Sequence, residues 1–413
     1  MSNLEIIPDK SHTFSKAYHQ YPNGISPKFA RTANGVEVVT DIGSFTDWSM
    51  GLGPIIKGYN FKNLNDHITS VLNKGVGFSI PGEYEFDVAS KLLGKLGFGE
   101  QVRFARNGSD VTSAAVRLAR YITKKDLILC NGYHGWQDWY IGATTRDYGV
   151  PKNVKELTKK IAGFDKDDLV QMFKNNRGEI ACLIIEPMIA DEPDLEFLTL
   201  AKELCHKEGA LLIFDECWTG FRCHPQGAIG LTGIEPDLAC YAKALGNGVP
   251  VSAVVGKKEN MEKFQDVFFS FTHASDPIGL AAADFMLDYL SGDFFNRLNE
   301  KTNFLKESIA NIFNNITNDE LGIDVRGYCG KIVFFAKDQR YRIKIKTAIQ
   351  KHMIENKHLF NMFIALAEDH RDSEINSFLS ACKSFVEKIN VENFDINKET
   401  DGFLVQDVFR QTQ

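Results

Sequence analysis

Lys243 stands in Pro236-Asp-Leu-Ala-Cys-Tyr-Ala-Lys-Ala-Leu-Gly-Asn-Gly-Val-Pro250, where an apolar run delivers one lysine among small residues and a glycine-rich turn follows. An apolar setting disfavours an ammonium and makes the free amine available as a nucleophile. Upstream, the run Ala210-Leu-Leu-Ile-Phe-Asp215 ends on a carboxylate. A carboxylate directly after a buried strand is costly to desolvate unless it is paired. Its partner is either a cationic ring N–H, or an arginine or a helix end. A buried lysine with such an aspartate is the pair that pyridoxal phosphate (PLP) chemistry needs: one forms a Schiff base, the other meets the pyridinium nitrogen.

Three further segments carry groups of the right kind. Arg106-Asn-Gly-Ser-Asp-Val-Thr-Ser113 lies between an expected strand and an expected helix. A glycine and a hydroxyl residue at a helix N-terminus offer N–H groups and a positive dipole end to a phosphate, or simply cap the helix. Cys130-Asn-Gly-Tyr-His-Gly-Trp-Gln-Asp138 follows a strand, which puts Tyr133 where α/β proteins bind ligands. Tyr133 and Trp136 there either stack on a flat ring or pack as ordinary aromatics. In Phe269-Ser-Phe-Thr-His-Ala-Ser-Asp-Pro277, Thr272 precedes a helix and either binds phosphate or caps. The glycines of Gly51-Leu-Gly-Pro-Ile-Ile-Lys-Gly58 do not fit the dinucleotide-binding spacing, and Pro54 intrudes.

These groups need elements to position them. Helical spacing covers Glu83–Leu96, Ser109–Tyr121 and Leu195–Lys207, and strands are expected at Val102–Ala105, Asp126–Cys130, Ile180–Ile185, Ala210–Phe214, Leu238–Tyr241 and Val251–Val255. Alternation of this kind predicts an α/β fold with a mostly parallel sheet. After Pro277 the pattern becomes helices at 277–291 and 294–315, a strand at Gly330–Ala336, a helix at Lys344–His358, a strand at Phe360–Ala365, a helix at 371–389 and an extended tail at 390–413. That is a smaller α+β domain, completed by an N-terminal arm with weak strands around Gly35–Val39.

The bulk properties suit such a protein. The chain has 413 residues, 44% hydrophobic and 24% charged, with a formal net charge of -7. That balance argues against nucleic acid or an anionic membrane as partner. No apolar stretch reaches the roughly 20 residues of a membrane span. The start, Met1-Ser-Asn-Leu-Glu-Ile-Ile-Pro-Asp9, has neither a basic region nor an apolar core, so no signal peptide is expected. Eight cysteines form no C-x-x-C pair, and a reduced, cytoplasmic setting is expected. The spacing of Cys217, Cys223 and His224 matches no zinc pattern, and no metal is expected.

Taken together, Asn107-Gly-Ser-Asp110, Tyr133-His-Gly135, Ile185-Glu-Pro187, Asp215-Glu-Cys-Trp-Thr-Gly-Phe-Arg222, Pro236-Asp237 with Lys243, and Thr272 before Pro277 resemble the class III aminotransferases of PLP fold type I, in particular the glutamate-1-semialdehyde aminomutase branch. The resemblance covers about 27–290 well and the rest loosely. It implies a large domain with a mostly parallel seven-stranded sheet sandwiched by helices, plus a smaller α+β domain. The implied bounds are an arm at 1–45, a PLP-binding domain at 46–285 and a small domain at 286–413. It implies that Lys243 forms the Schiff base and shuttles a proton, and that Asp215 keeps the ring nitrogen protonated. Tyr133 stacks on the ring; Asn107, Gly108, Ser109, His134 and Glu186 complete the cofactor site. Thr272 joins it from the neighbouring subunit of a homodimer.

Departures bear on the substrate. Asn107 stands where the family usually has serine, and Asp110 where it usually has glutamate. The arginine that usually binds a substrate carboxylate has no counterpart around Gly24-Ile-Ser-Pro27 or in Phe363-Ile-Ala-Leu-Ala-Glu368; Arg326 or Arg31 would have to substitute. An intermolecular aminotransferase is therefore expected over an aminomutase, taking an amino-acid donor and an aldehyde or ketone acceptor such as a sugar or polyol derivative. Trp48, Met50, Trp136 and His273 either line that acceptor's pocket or pack structurally.

Overall fold

The computed structural model describes residues 6–408. They form two compact units, one of residues 62–295 and one of residues 6–61 with 296–408. The smaller unit opens with β1 (Ala30–Asn34), β2 (Glu37–Thr40) and β3 (Gly43–Asp47), an antiparallel meander.

The larger unit holds β4 (Gln101–Ala105), β5 (Leu127–Asn131), β6 (Thr158–Lys160), β7 (Ile180–Ile185), β8 (Leu211–Glu216), β9 (Leu238–Tyr241) and β10 (Ser252–Gly256). They make one seven-stranded sheet in the order β4-β10-β9-β8-β7-β5-β6. Strands β9, β8, β7, β5 and β6 run parallel, and β10 is antiparallel to both of its neighbours. Every residue of β5, β7, β9 and β10 is buried, which is why these strands read as continuous apolar runs without alternation. The helix Gly108–Thr123 packs across β7 to β10, and the helix Leu195–Glu208 covers β7 and β8. In the first, Val111, Ala114, Ala115, Leu118 and Ala119 give the buried stripe at helical spacing, and Lys124 ends the helix at a left-handed φ of 57°.

The smaller unit resumes with β11 (Ile323–Tyr328), β12 (Lys331–Ala336), β13 (His358–Leu359) and β14 (Phe363–Ala365). β13 adds to β3 in parallel, and β14 pairs with β12 in a separate three-stranded sheet. Of the strand expected at Phe360–Ala365 only Phe363–Ala365 forms, after Met362 at a left-handed φ of 56°; the preceding strand, His358–Leu359, lies ahead of the expected range and joins the other sheet. The helix expected at Lys344–His358 runs Arg342–Glu355, with Lys357 left-handed beyond it. The tail expected to be extended contains a helix, Ile396–Thr400, capped by Asp395. Glu399 in it meets Lys351 and Lys388, each at 2.9 Å. Those partners are distant in sequence, and five residues are too few to show a period.

Trp48 is the centre of the smaller unit's core. It is fully buried, stacked on His370 with centroids 4.4 Å apart and set against Phe378. Its indole N–H donates to His358 Nδ1 at 3.1 Å. The other nitrogen of His358 faces Ser377 Oγ, and His370 accepts from the Ala367 N–H while its Nε2–H donates to the Asp47 carbonyl. Both imidazoles are therefore built into the core as neutral rings. Burial pushes each down to about 4.

A histidine held this low contributes stability fully above its ordinary value near 6.5 and loses it as pH falls toward 4. Each contribution amounts to roughly 3 kcal/mol at most. Acidification from about pH 7.5 to 4.5 should accordingly lower the melting temperature, and His370→Asn should flatten that dependence even though it lowers stability at neutral pH. Melting curves followed by tryptophan fluorescence check this; an unchanged slope in the variant would remove His370 from the account.

Candidate active site

Five strands open on one edge of the large sheet. In register, Cys240 of β9 lies beside Asp215 of β8, Phe214 beside Ile185 of β7, and Ile185 beside Asn131 of β5. On the other side Tyr241 lies beside Ala253 of β10, and the next residue, Ser252, beside Ala105, the last of β4. The segments leaving these strands carry Lys243, Asp215, Glu186, Tyr133 with His134, and Asn107 to Ser109. Parallel topology alone collects them, because every crossover returns to the opposite edge before the next strand begins.

Asp215 is buried and has both oxygens occupied. Its Oδ2 accepts from His134 Nδ1 at 2.8 Å and its Oδ1 from the Cys217 N–H at 3.0 Å. Burial pushes this carboxyl up, but the hydrogen bond and charge of His134 and the Cys217 N–H outweigh it and hold Asp215 below the usual carboxylate range. The partner is a histidine, not the arginine or helix end considered from sequence. His134 itself is fixed from two sides: Trp139 lies parallel to its ring at 6.1 Å, and Tyr140 meets it edge-on at 5.2 Å. Its Nε2 is buried without a hydrogen-bond partner among the described residues.

The loops around this pair come very close to one another. A Cβ at Gly108 would sit 2.8 Å from Cys217 Sγ, and one at Gly135 would sit 2.5 Å from the Ser109 Cβ. Only glycine allows both approaches, so the start of the helix Gly108–Thr123 is pressed against the Asp215 turn on one side and the Tyr133 loop on the other. Asn107 caps that helix: its N–H donates to Asp110 Oδ2 at 2.8 Å, and its carbonyl accepts from Ser252 Oγ at 2.9 Å. The capping role and an anion-facing N-terminus are compatible, since the cap uses the side chain of Asp110 and leaves the first N–H groups of the helix end. Glu186 Oε1 accepts the Tyr133 N–H at 2.7 Å and so fixes the loop that carries Tyr133, whose ring is half exposed.

Lys243 is half-buried at the start of a short 3-10 turn, with a left-handed φ of 48°. Its Nζ lies 4.9 Å from the centre of the Trp218 ring. No signal in the sequence singles out Trp218, because a tryptophan in a motif reads first as packing. Glu216, next to Asp215, is also fully buried; Thr219 Oγ donates to it, as does the Ala228 N–H at 2.7 Å. Burial raises its carboxyl to about 7.

The remaining candidates lie in other settings. Thr272 and His273 are exposed on the turn before the helix Pro277–Tyr289. They line a cavity of about 430 Å³ with residues such as Gly75, Phe78 and Tyr84, whose walls include neither Lys243 nor Asp215. Trp136 is largely exposed. Trp48 and Met50 belong to the smaller unit, where both side chains are fully buried and their surface is taken up by packing.

The donor set fits a pyridoxal phosphate. It offers a buried carboxylate kept charged, a reachable lysine amine, an aromatic beside them, and a glycine-bearing helix N-terminus for the phosphate. Comparisons with known proteins agree. The family model of class III aminotransferases matches residues 23–356. The glutamate-1-semialdehyde 2,1-aminomutase of Methanosphaera stadtmanae is 26% identical over 421 residues, covering 92% of this chain and 99% of the relative. That of Flavobacterium psychrophilum is 32% identical over 337 residues, covering 76% and 78%. A solved transaminase with PLP bound superposes with a TM-score of 0.84 at 21% identity, covering 94% of this chain and 95% of its own.

Two outcomes follow from this geometry. Replacing His134 by Phe removes a hydrogen bond to a buried charge, a loss of order 10- to 100-fold. The variant should shed added PLP correspondingly more readily, read as the cofactor left after dialysis; retention equal to the parent would sink the role of His134. Glu216 is raised by burial, so its contribution to stability is full below its ordinary 4.5 and is lost as pH rises through about 7. Glu216→Gln should therefore shrink the fall in melting temperature between about pH 5 and pH 8, by up to roughly 3 kcal/mol of pH-dependent stability.

Proposed function

The chain belongs to the class III aminotransferase family, and we propose that it moves an amino group from an amino-acid donor to a carbonyl acceptor, using Lys243 as the reactive amine. Pyridoxal phosphate, the family's cofactor, supplies an aldehyde carbon and a ring that withdraws electrons from the carbon being deprotonated. Lys243 is the nucleophile toward that aldehyde and, once released, the base and acid that carries the proton. Asp215, kept charged by His134 and the Cys217 N–H, holds the proton on the ring nitrogen. Gly108 and Ser109 present helix N–H groups to the phosphate, with Asn107 holding that helix end in place. Tyr133, anchored through Glu186, covers the ring. The observation that carries this reading is the convergence of Lys243, Asp215 and the Gly108 helix on one sheet edge, with Cys217 touching the approach to Gly108.

The acceptor we favour lacks the carboxylate of an ordinary amino-acid analogue. The stretch Phe363–Glu368 contains no arginine. Arg326 is exposed and paired with Asp324 at 2.9 Å, and Arg31 is exposed over Phe29. An aldehyde or ketone of a sugar or polyol derivative suits such a site, with Trp136 and His273 as candidates to meet it. A second reading, an intramolecular aminomutase, is favoured by the names of the matched relatives. We further propose a homodimer, since Thr272 faces outward beside the exposed Val76, Phe78 and Ile80, which a second copy would cover. All eight cysteines are free and buried, which supports a reducing, cytoplasmic setting. No helix among the described residues is long and apolar enough to cross a membrane.

Lys243→Ala should lose amino transfer by at least about 10²- to 10⁴-fold, together with the visible absorbance of the lysine-bound cofactor. Turnover and absorbance retained in that variant would overturn the assignment. Glutamate alone, added to the loaded parent, separates the two readings: release of 2-oxoglutarate with conversion of the cofactor to its amine form fits the aminotransferase, and turnover of one substrate with no external donor fits the aminomutase.

A further inference from the structure

Trp218 sits in the turn that leaves β8, three residues past Asp215, and its position is closely determined. The Gly220 N–H donates to the Glu216 carbonyl at 2.8 Å, and Thr219 Oγ donates to the Glu216 carboxylate. A Cβ on Gly220 would meet the Tyr241 ring at 2.5 Å, so this turn is packed hard against β9, the strand that leads to Lys243. The fully buried Arg222 places its guanidinium carbon 5.2 Å from the Trp218 ring centre. Lys243 reaches the same ring from a backbone held in the left-handed region, with Nζ at 4.9 Å. A lysine side chain has four rotatable bonds and would otherwise spread over many rotamers.

We infer that Trp218 is a positioning residue for Lys243: its ring face is the place where the ammonium is held whenever Lys243 is free of the cofactor. This rests on the reading of Lys243 as the reactive amine. A cation is drawn to an indole face and a neutral amine is not, so the contact acts on the proton-carrying form of Lys243 and lets go when the proton leaves. It thereby keeps the loaded proton donor at one place instead of leaving it to search. No substrate contact is involved, so the effect belongs in kcat and not in the donor KM.

The test uses the full chain. Freed of cofactor and reductively methylated with ¹³C-formaldehyde, it should show one N-methyl signal displaced upfield by the indole ring current. That signal should vanish in Lys243→Ala, return to the position of exposed lysines in Trp218→Leu, and stay displaced, by less, in Trp218→Phe. In the PLP-loaded enzyme, Trp218→Leu should lower kcat about 2- to 30-fold with KM unchanged, and Trp218→Phe should recover most of it. An undisplaced signal, or a Trp218→Leu enzyme with the parent's kcat, or Phe no better than Leu, overturns this inference alone. Amino transfer that survives Lys243→Ala overturns the underlying reading and this inference with it.

Discussion

A carboxylate has to stay charged inside this protein. Asp215 is buried near the end of its strand, and an isolated anion there would take up a proton. His134 and the Cys217 N–H prevent that, one for each oxygen. Much of the surrounding structure serves that pair. Trp139 and Tyr140 hold the His134 ring, and the Thr112 hydroxyl binds the His134 carbonyl at 2.8 Å. Gly135 lets the same loop close on Ser109. The start of the helix Gly108–Thr123 is thus located by the loop that holds His134 against Asp215.

Neighbouring acids show that burial by itself does not decide protonation. Asp215 and Glu216 are adjacent and both buried, yet burial prevails at Glu216 and pairing prevails at Asp215. Glu216 receives a hydroxyl and backbone N–H groups and holds the turn that follows the strand. Asp215 receives the His134 ring and the Cys217 N–H. Alternation along the strand sends the two side chains to opposite faces of the sheet, one to the turn's scaffold and one to the site.

Fold class was readable because the buried strands are short, apolar and separated by helical spacing, a pattern that parallel sheets impose. The placement of Lys243, Asp215, Tyr133 and Gly108 at strand ends was readable because each sits at a fixed place relative to such a strand. Other features were not. That Phe360–Met362 stay out of a strand depends on His358–Leu359 and Phe363–Ala365 joining different sheets. The helix Ile396–Thr400 depends on Lys351 and Lys388, and the fully buried Trp48 depends on His358, His370 and Phe378. None of these partners is a neighbour in sequence.

The chain's residues determine, by type and local order, that Lys243 and Asp215 lie at the ends of adjacent buried strands and that a glycine-led helix follows another. Local spacing suffices for this because strands and helices have fixed periods. Tertiary structure decided which side chain stabilises Asp215 and which surface receives Lys243. His134 reaches Asp215 from β5, two strands across, and Trp218 meets Lys243 only because the turn after β8 folds onto β9. Such contacts are set by sheet order and register, which act between segments far apart in the chain and leave no period within either one.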